Sequence, residues 1–177
     1  MSPAPLESTS HLILGGARSG KSAYAESLVT ALEPPYIYIA TAQILDDEMQ
    51  TRVRAHRNRR NANWETIEAP FTLIETLVTH NPHRKPVLID CLTLWLSNLI
   101  LQPSTVPPPD AVTTLCALLP TLLFPLFIVS NEVGAGIVPD NALAREFRDL
   151  AGYANQKVAQ ACSTVTLVVA GLPLRLK

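Results

Sequence analysis

The octapeptide Gly15-Gly16-Ala17-Arg18-Ser19-Gly20-Lys21-Ser22 fits the pattern GxxxxGK[ST] and lies between an apolar run at 11–14 and a helix-forming stretch at 22–32. No other feature of the chain restricts its fold as much. A strand must deliver the backbone to a tight glycine turn, and the turn must open directly into a helix, so that loop amides converge on an anion. All eight residues contribute to such a phosphate cradle. Lys21 is expected to reach the β and γ phosphates of a nucleotide, ATP or GTP, and the Ser22 hydroxyl to ligate Mg²⁺.

The remaining sequence supplies the sheet this motif needs. Short runs rich in β-branched residues predict strands at 11–14, 36–40, 64–68, 87–90, 126–130 and 164–170. Stretches of helical period between them predict helices at 22–32, 46 to about 58, 71–79, 92–101, 110–119 and 141 to about 162. This alternation describes an α/β fold, a mostly parallel sheet with helices on both faces. Gly171 followed by residues 172–177 predicts an antiparallel hairpin strand at the C-terminus. Six of the 15 prolines (103, 107, 108, 109, 120 and 125) fall between 103 and 125, predicting a stiff connection of low helical content. The organisation read here is a flexible N-terminal segment, 1–10, and one nucleotide-binding catalytic domain, 11–177.

Composition excludes several classes of function. With 47% hydrophobic residues, 16% charged residues and a net charge of −1, the chain reads as a compact soluble domain without the field needed to grip nucleic acid. The richest apolar stretch, 115–129, is interrupted by Pro120 and Pro125, so no membrane span is expected. The first ten residues lack a basic region followed by an apolar core, and the expected location is cytoplasmic. Cys91, Cys116 and Cys162 form no CxxC pair and are expected to be buried thiols. A metal ion should therefore arrive with a phosphate ligand.

Five of the 7 glycines fall in two loops after strands: Gly15, Gly16 and Gly20, then Gly134 and Gly136. In a parallel sheet that edge is where ligands bind. Asp90, ending the strand 87–90, is placed either to hold Mg²⁺ or to cap the helix that follows. Glu132, in the second glycine loop, either orients an attacking group or pairs locally. No NKxD-like element follows to read guanine, so the motifs leave the base open. The stretch 46–57 begins with three acids and ends in a basic run, a charge order that suits a helix. On it His56 would share a face with Arg52, Arg59 and Arg60, whose charges keep an imidazole neutral and nucleophilic, or it would simply flank the core-facing side of Met49 and Val53. Arg145, Arg148 and Asp149 read as an exposed ion-pair face.

These residues resemble the bifunctional adenosylcobinamide kinase/adenosylcobinamide-phosphate guanylyltransferases. The resemblance rests on GGARSGKS at 15–22, YIATAQILDDEM at 38–49, His56-Arg57, and NEVGAGIVPDNALAREFRDLAGYANQ at 131–156. It implies a P-loop fold of the RecA-like kind and two reactions. In one, adenosylcobinamide is phosphorylated by ATP or GTP; in the other, GMP is transferred from GTP to adenosylcobinamide phosphate through a guanylylated histidine. By the same resemblance His56 is that histidine, and nucleotide contacts fall on residues 15–22, on Ala40, Thr41 and Ala42, on Arg57, Asn58, Arg59 and Arg60, on Glu68 and on Asp90. The family also suggests a homotrimer. Within that pattern the segment 103–125 is short and proline-rich, and Asp90 stands where some relatives carry Glu. Two other readings compete: a P-loop kinase for a small metabolite without guanylyl transfer, and a nucleotide-binding sensor without catalysis.

Overall fold

The computed structural model of the chain describes residues 9–43, 60–102 and 106–177. The helix expected from 46 to about 58 lies outside them, and with it His56, Arg57, Asn58 and Arg59. Residues 1–8 and 103–105 also lie outside.

Seven strands form one sheet: β1 (Ser10–Gly15), β2 (Tyr36–Ala40), β3 (Trp64–Glu68), β4 (Val87–Asp90), β5 (Leu126–Asn131), β6 (Thr164–Val169) and β7 (Leu172–Arg175), in the order β3-β2-β4-β5-β1-β6-β7. All neighbours pair in parallel except β6 and β7, which form the antiparallel hairpin expected at the C-terminus. Among the described residues, five α-helices accompany them: α1 (Lys21–Thr30), α2 (Leu73–His80), α3 (Leu92–Leu101), α4 (Pro108–Leu118) and α5 (Ala142–Ala161). None is long and apolar enough to cross a membrane.

The period-2 alternation of the strands explains the layering. Leu12 and Leu14 of β1, with Ile37, Ile39, Val87, Ile89 and Ile128, point to the face covered by α2, α3, α4 and α5. Ile13, with Tyr36, Tyr38, Leu88, Phe127 and Val129, points to the other face, where Ala25 and Val29 of α1 pack. Both faces of the central strands are buried, which is why β1, β2, β4 and β5 read as nearly continuous apolar runs, whereas the edge strands β3 and β7 are largely exposed. Leu12, Ile13 and Ile89 have no exposed surface, and truncating such a side chain to alanine costs ~2–5 kcal/mol.

The proline-rich segment is more helical than expected. Pro107 precedes α4 and Pro108 and Pro109 occupy its first turn, where a missing N–H breaks no helical bond. Pro120 sits in a 3₁₀ turn, Leu119–Thr121, after the helix. The prolines bracket α4 instead of interrupting it. The expectation of three buried thiols also needs correction: Cys91 and Cys162 are buried, but Cys116, on the α4 surface, is only half-buried.

Candidate active site at the carboxyl edge of the sheet

β1 ends at Gly15 and the loop turns at once into α1. Arg18 (φ 56°) and Gly20 (φ 93°) both adopt left-handed conformations, and the Ser19 amide donates to Gly16 O at 3.2 Å. Gly20 caps α1 without a side chain, so the amino end of the helix, with its partial positive charge, faces the loop interior. A Cβ on Gly15 would press into Ser19 Oγ and lie 2.7 Å from the carbonyl oxygen of Val168; only glycine fits there. Lys21 Nζ donates to Gly16 O at 3.0 Å, holding the side chain along the loop. Burial lowers the affinity of this amine for its proton, while the negative charge on Asp90 opposes the shift. A cation desolvated in this way gains most from an incoming phosphate.

Asp90 closes β4, separated from the loop strand by β5, with Gly15 in register with Asn131 and Asp90 with Val129. Its Oδ2 accepts a hydrogen bond of 2.8 Å from the Tyr38 hydroxyl. Burial and then the Asp90 charge push the Tyr38 phenol far above its ordinary value, so it remains a donor at every working pH. The capping role considered for Asp90 does not appear, because the residue at the cap position of α3 is Cys91, with no side-chain cap bond. The hydroxyl of Ser22 and the carboxylate of Asp90 are hard oxygen donors at one sheet edge, a set that suits Mg²⁺. Among the described residues, no cluster of three or more His, Cys, Asp or Glu side chains could hold a metal ion.

The carboxyl ends of β2 and β3 bring Ala40, Thr41, Ala42 and Glu68 to this edge, Ala40 in register with Glu68 and with Asp90. Glu68 is exposed and Ala40 and Ala42 are half-buried. Thr41 is fully buried, and its hydroxyl donates to Cys91 O at 2.7 Å and accepts from Cys91 N at 2.9 Å. Its side chain fixes the main chain that follows Asp90. Arg60 lies across the ring of Tyr38, with Cζ 3.4 Å from the ring centroid. Glu132 behaves locally: Oε1 accepts from Gly134 N at 3.1 Å, and its own amide donates to Gly15 O at 3.0 Å, tying the second glycine loop to the first.

Behind the edge runs a buried polar chain that the sequence did not reveal. Asn131 Nδ2 donates to Thr93 Oγ1 at 2.7 Å and Asn155 Nδ2 to Asn131 O at 3.1 Å, while Ser130 Oγ donates to Asn155 Oδ1 at 2.7 Å. Asn155 is an amide on the inward stripe of α5, the one signal that could have marked it. Cys91, within reach of this chain, is pushed up to about 11, first by burial and then by the Asp90 charge, and stays a neutral thiol. The charged face of α5 matches expectation in Arg148 and Asp149 but not in Arg145. Arg145 donates to the carbonyls of Pro139 and Asp140 at 2.9 and 2.7 Å, and Arg148 pairs with its neighbour Asp149 at the surface. An exposed pair of that kind contributes little to stability.

A glycine loop between a strand and a helix, faced by a strand-end carboxylate two strands away, defines a P-loop nucleotide-binding protein of the RecA-like kind. The fold agrees with that of an ATPase of a bacterial type III secretion system, with a TM-score of 0.60 at 13% identity over 95% of this chain and 57% of that one. The family model CobU, cobinamide kinase / cobinamide phosphate guanyltransferase, matches residues 11–176, and the chain belongs to this family. It is 45% identical over 166 residues to the bifunctional adenosylcobalamin biosynthesis protein CobP of Pseudomonas aeruginosa, covering 94% of this chain and 96% of that protein. It is 39% identical over 180 residues to the bifunctional adenosylcobalamin biosynthesis protein CobU of Salmonella typhimurium, covering 94% and 98%.

Proposed function

We propose that the chain phosphorylates the aminopropanol hydroxyl of adenosylcobinamide with ATP or GTP and then transfers GMP from GTP to adenosylcobinamide phosphate, yielding adenosylcobinamide-GDP. The observation that carries this reading is the assembly of one edge from the 15–22 loop, Asp90, Glu68 and the 40–42 segment, with Arg60 held beside it by Tyr38. Arg60 follows His56 by four residues, a chain length that spans at most ~14 Å.

In the kinase step the loop amides and Lys21 hold the triphosphate and neutralise charge on the phosphoryl group as the substrate hydroxyl oxygen attacks the γ-phosphorus, the β–γ bridging P–O bond breaks, the nucleoside diphosphate leaves and the hydroxyl proton passes to water; positioning supplies most of the acceleration. Mg²⁺, held by Ser22, Asp90 and phosphate oxygens, would supply charge neutralisation on those phosphates. In the transferase step a neutral nitrogen of His56 attacks the α-phosphorus of GTP, a P–N bond forms, the α–β bridging P–O bond breaks, and pyrophosphate leaves against Lys21 and the loop. A phosphate oxygen of adenosylcobinamide phosphate then attacks the same phosphorus and frees the histidine. Arg57, Asn58, Arg59, Arg60 and Glu68 are assigned to the nucleotide, with Ala40, Thr41 and Ala42 lining its path through their main chain. Glu132 acts by bracing the loop. The protein is assigned to the cytoplasm and to a homotrimer of single-domain subunits, which solution scattering tests.

The deciding experiment incubates the protein with Mg²⁺ and α-labelled GTP and measures protein-bound label stable to alkali and labile to acid. Label on the natural protein and none on His56→Ala is expected. Phosphorylation of adenosylcobinamide without label selects a kinase alone, and loss of both reactions selects a nucleotide sensor.

A further inference from the structure

Tyr38 touches two charged groups at once. Its hydroxyl donates to Asp90 Oδ2 at 2.8 Å and its ring face carries the Arg60 guanidinium, 3.4 Å from the centroid. The side chain cannot drift: it is 5% exposed, it lies on a strand paired on both sides, and the Trp64 ring meets it edge-on with centroids 6.3 Å apart. Packing alone does not call for the hydroxyl, since a phenylalanine fills the same volume and keeps both ring contacts. What the hydroxyl adds is orientation. A carboxylate rotates about its last bond, and an oxygen aimed at a metal or phosphate site needs its partner oxygen pinned.

We propose that Tyr38 is a positioning residue for the nucleotide site, its hydroxyl fixing the Asp90 carboxylate toward the phosphates and its ring holding Arg60 beside them. This rests on the reading of Asp90 as the metal-facing acid, so the test separates the two. The probe is a fluorescent N-methylanthraniloyl GDP, titrated into the full-length protein with and without Mg²⁺. In the natural protein Mg²⁺ should tighten binding. Tyr38→Phe should leave the Mg²⁺-free affinity within about twofold and weaken Mg²⁺ in the titration by roughly tenfold or more, the range seen when the partner of a metal-ligating carboxylate is removed. Arg60→Ala should do the reverse, weakening binding with and without Mg²⁺ alike. Asp90→Asn is the reference for complete loss of the Mg²⁺ effect. Natural Mg²⁺ dependence in Tyr38→Phe, with loss in Asp90→Asn, overturns the positioning role alone. Natural dependence in both variants overturns the assignment of Asp90, and the role of Tyr38 with it.

Discussion

The amide of Gly171 donates to the carbonyl oxygen of Ser19 at 2.8 Å, so the turn of the C-terminal hairpin is fastened to the phosphate loop. The turn is a left-handed pair, Ala170 at φ 50° and Gly171 at φ 81°, which matches the twist of two adjoining strands. A Cβ on Gly20 would lie 3.2 Å from Gly171 Cα, whereas a Cβ on Gly171 would meet nothing within 4 Å.

These two glycines should therefore fail differently on substitution. Gly171→Ala adds backbone strain only, ~1–2 kcal/mol, or a fall of about 2–8 °C in Tm, with nucleotide affinity nearly kept. Gly20→Ala adds the same kind of strain inside the cradle and pushes it against the hairpin. Its nucleotide affinity should fall at least about tenfold. Equal affinities for the two variants in a fluorescence titration would show that the hairpin does not support the loop.

The order of strands and helices was legible because the β-branched runs of the central strands β1, β2, β4 and β5 are buried on both faces, and the loop motif was legible because its requirements are local. The site was legible only where it is local. Tyr38 and Asp90 are 52 positions apart, and their hydrogen bond exists only because β2 pairs with β4. Thr41 reads as a loop residue near a ligand, yet burial commits its hydroxyl to Cys91. Prolines at 107–109 suggest a broken helix unless their position at its first turn is known, and nothing local fixes that position.

Lys21→Met should separate catalysis from stability. The lysine is 8% exposed, and its amine is desolvated with one loop carbonyl as a hydrogen-bond partner, Gly16 O. Methionine fills the stem without carrying a buried charge, so thermal unfolding should occur at or above the temperature of the natural protein. Phosphoryl transfer to adenosylcobinamide should fall on the order of 10²–10³-fold. A large drop in Tm would mean that the ammonium holds the empty loop together.

Asn155→Leu should expose how much the buried polar chain contributes. Ser130, with no exposed surface, loses the acceptor of its hydroxyl, and Asn131 O loses a donor. Leaving such groups unpaired costs ~1–3 kcal/mol, read as a lower urea midpoint at unchanged slope. Adding Ser130→Ala removes one orphaned group, so the double variant should recover part of the loss. A strictly additive pair would mean that the two side chains do not depend on each other.

The buried thiols should make the fold less stable as pH rises above their ordinary value. Burial pushes Cys91 up to about 11 and Cys162 to about 12 from an ordinary value of 9.0. Above pH 9 the unfolded chain releases these protons while the folded chain keeps them, so the unfolded state binds fewer protons and stability falls as pH rises. The contribution is intact below pH 9 and is lost progressively through about 11 and 12. The Tyr38 phenol adds to this fall only above its ordinary value of 10.0, whereas Lys21, whose proton is held less tightly in the fold, opposes it near 10.5. Urea unfolding at pH 7.5, 8.5, 9.5 and 10 should thus give a plateau followed by a decline. Cys162→Ala, whatever its absolute stability, should decline less steeply than the natural protein between pH 9 and 10. The same burial predicts the order of modification by a disulfide reagent at pH 8: the half-buried Cys116 reacts first, and Cys91 and Cys162 react only on unfolding. Rapid labelling of Cys91 in the native protein would show that the wall behind Asp90 opens to solvent.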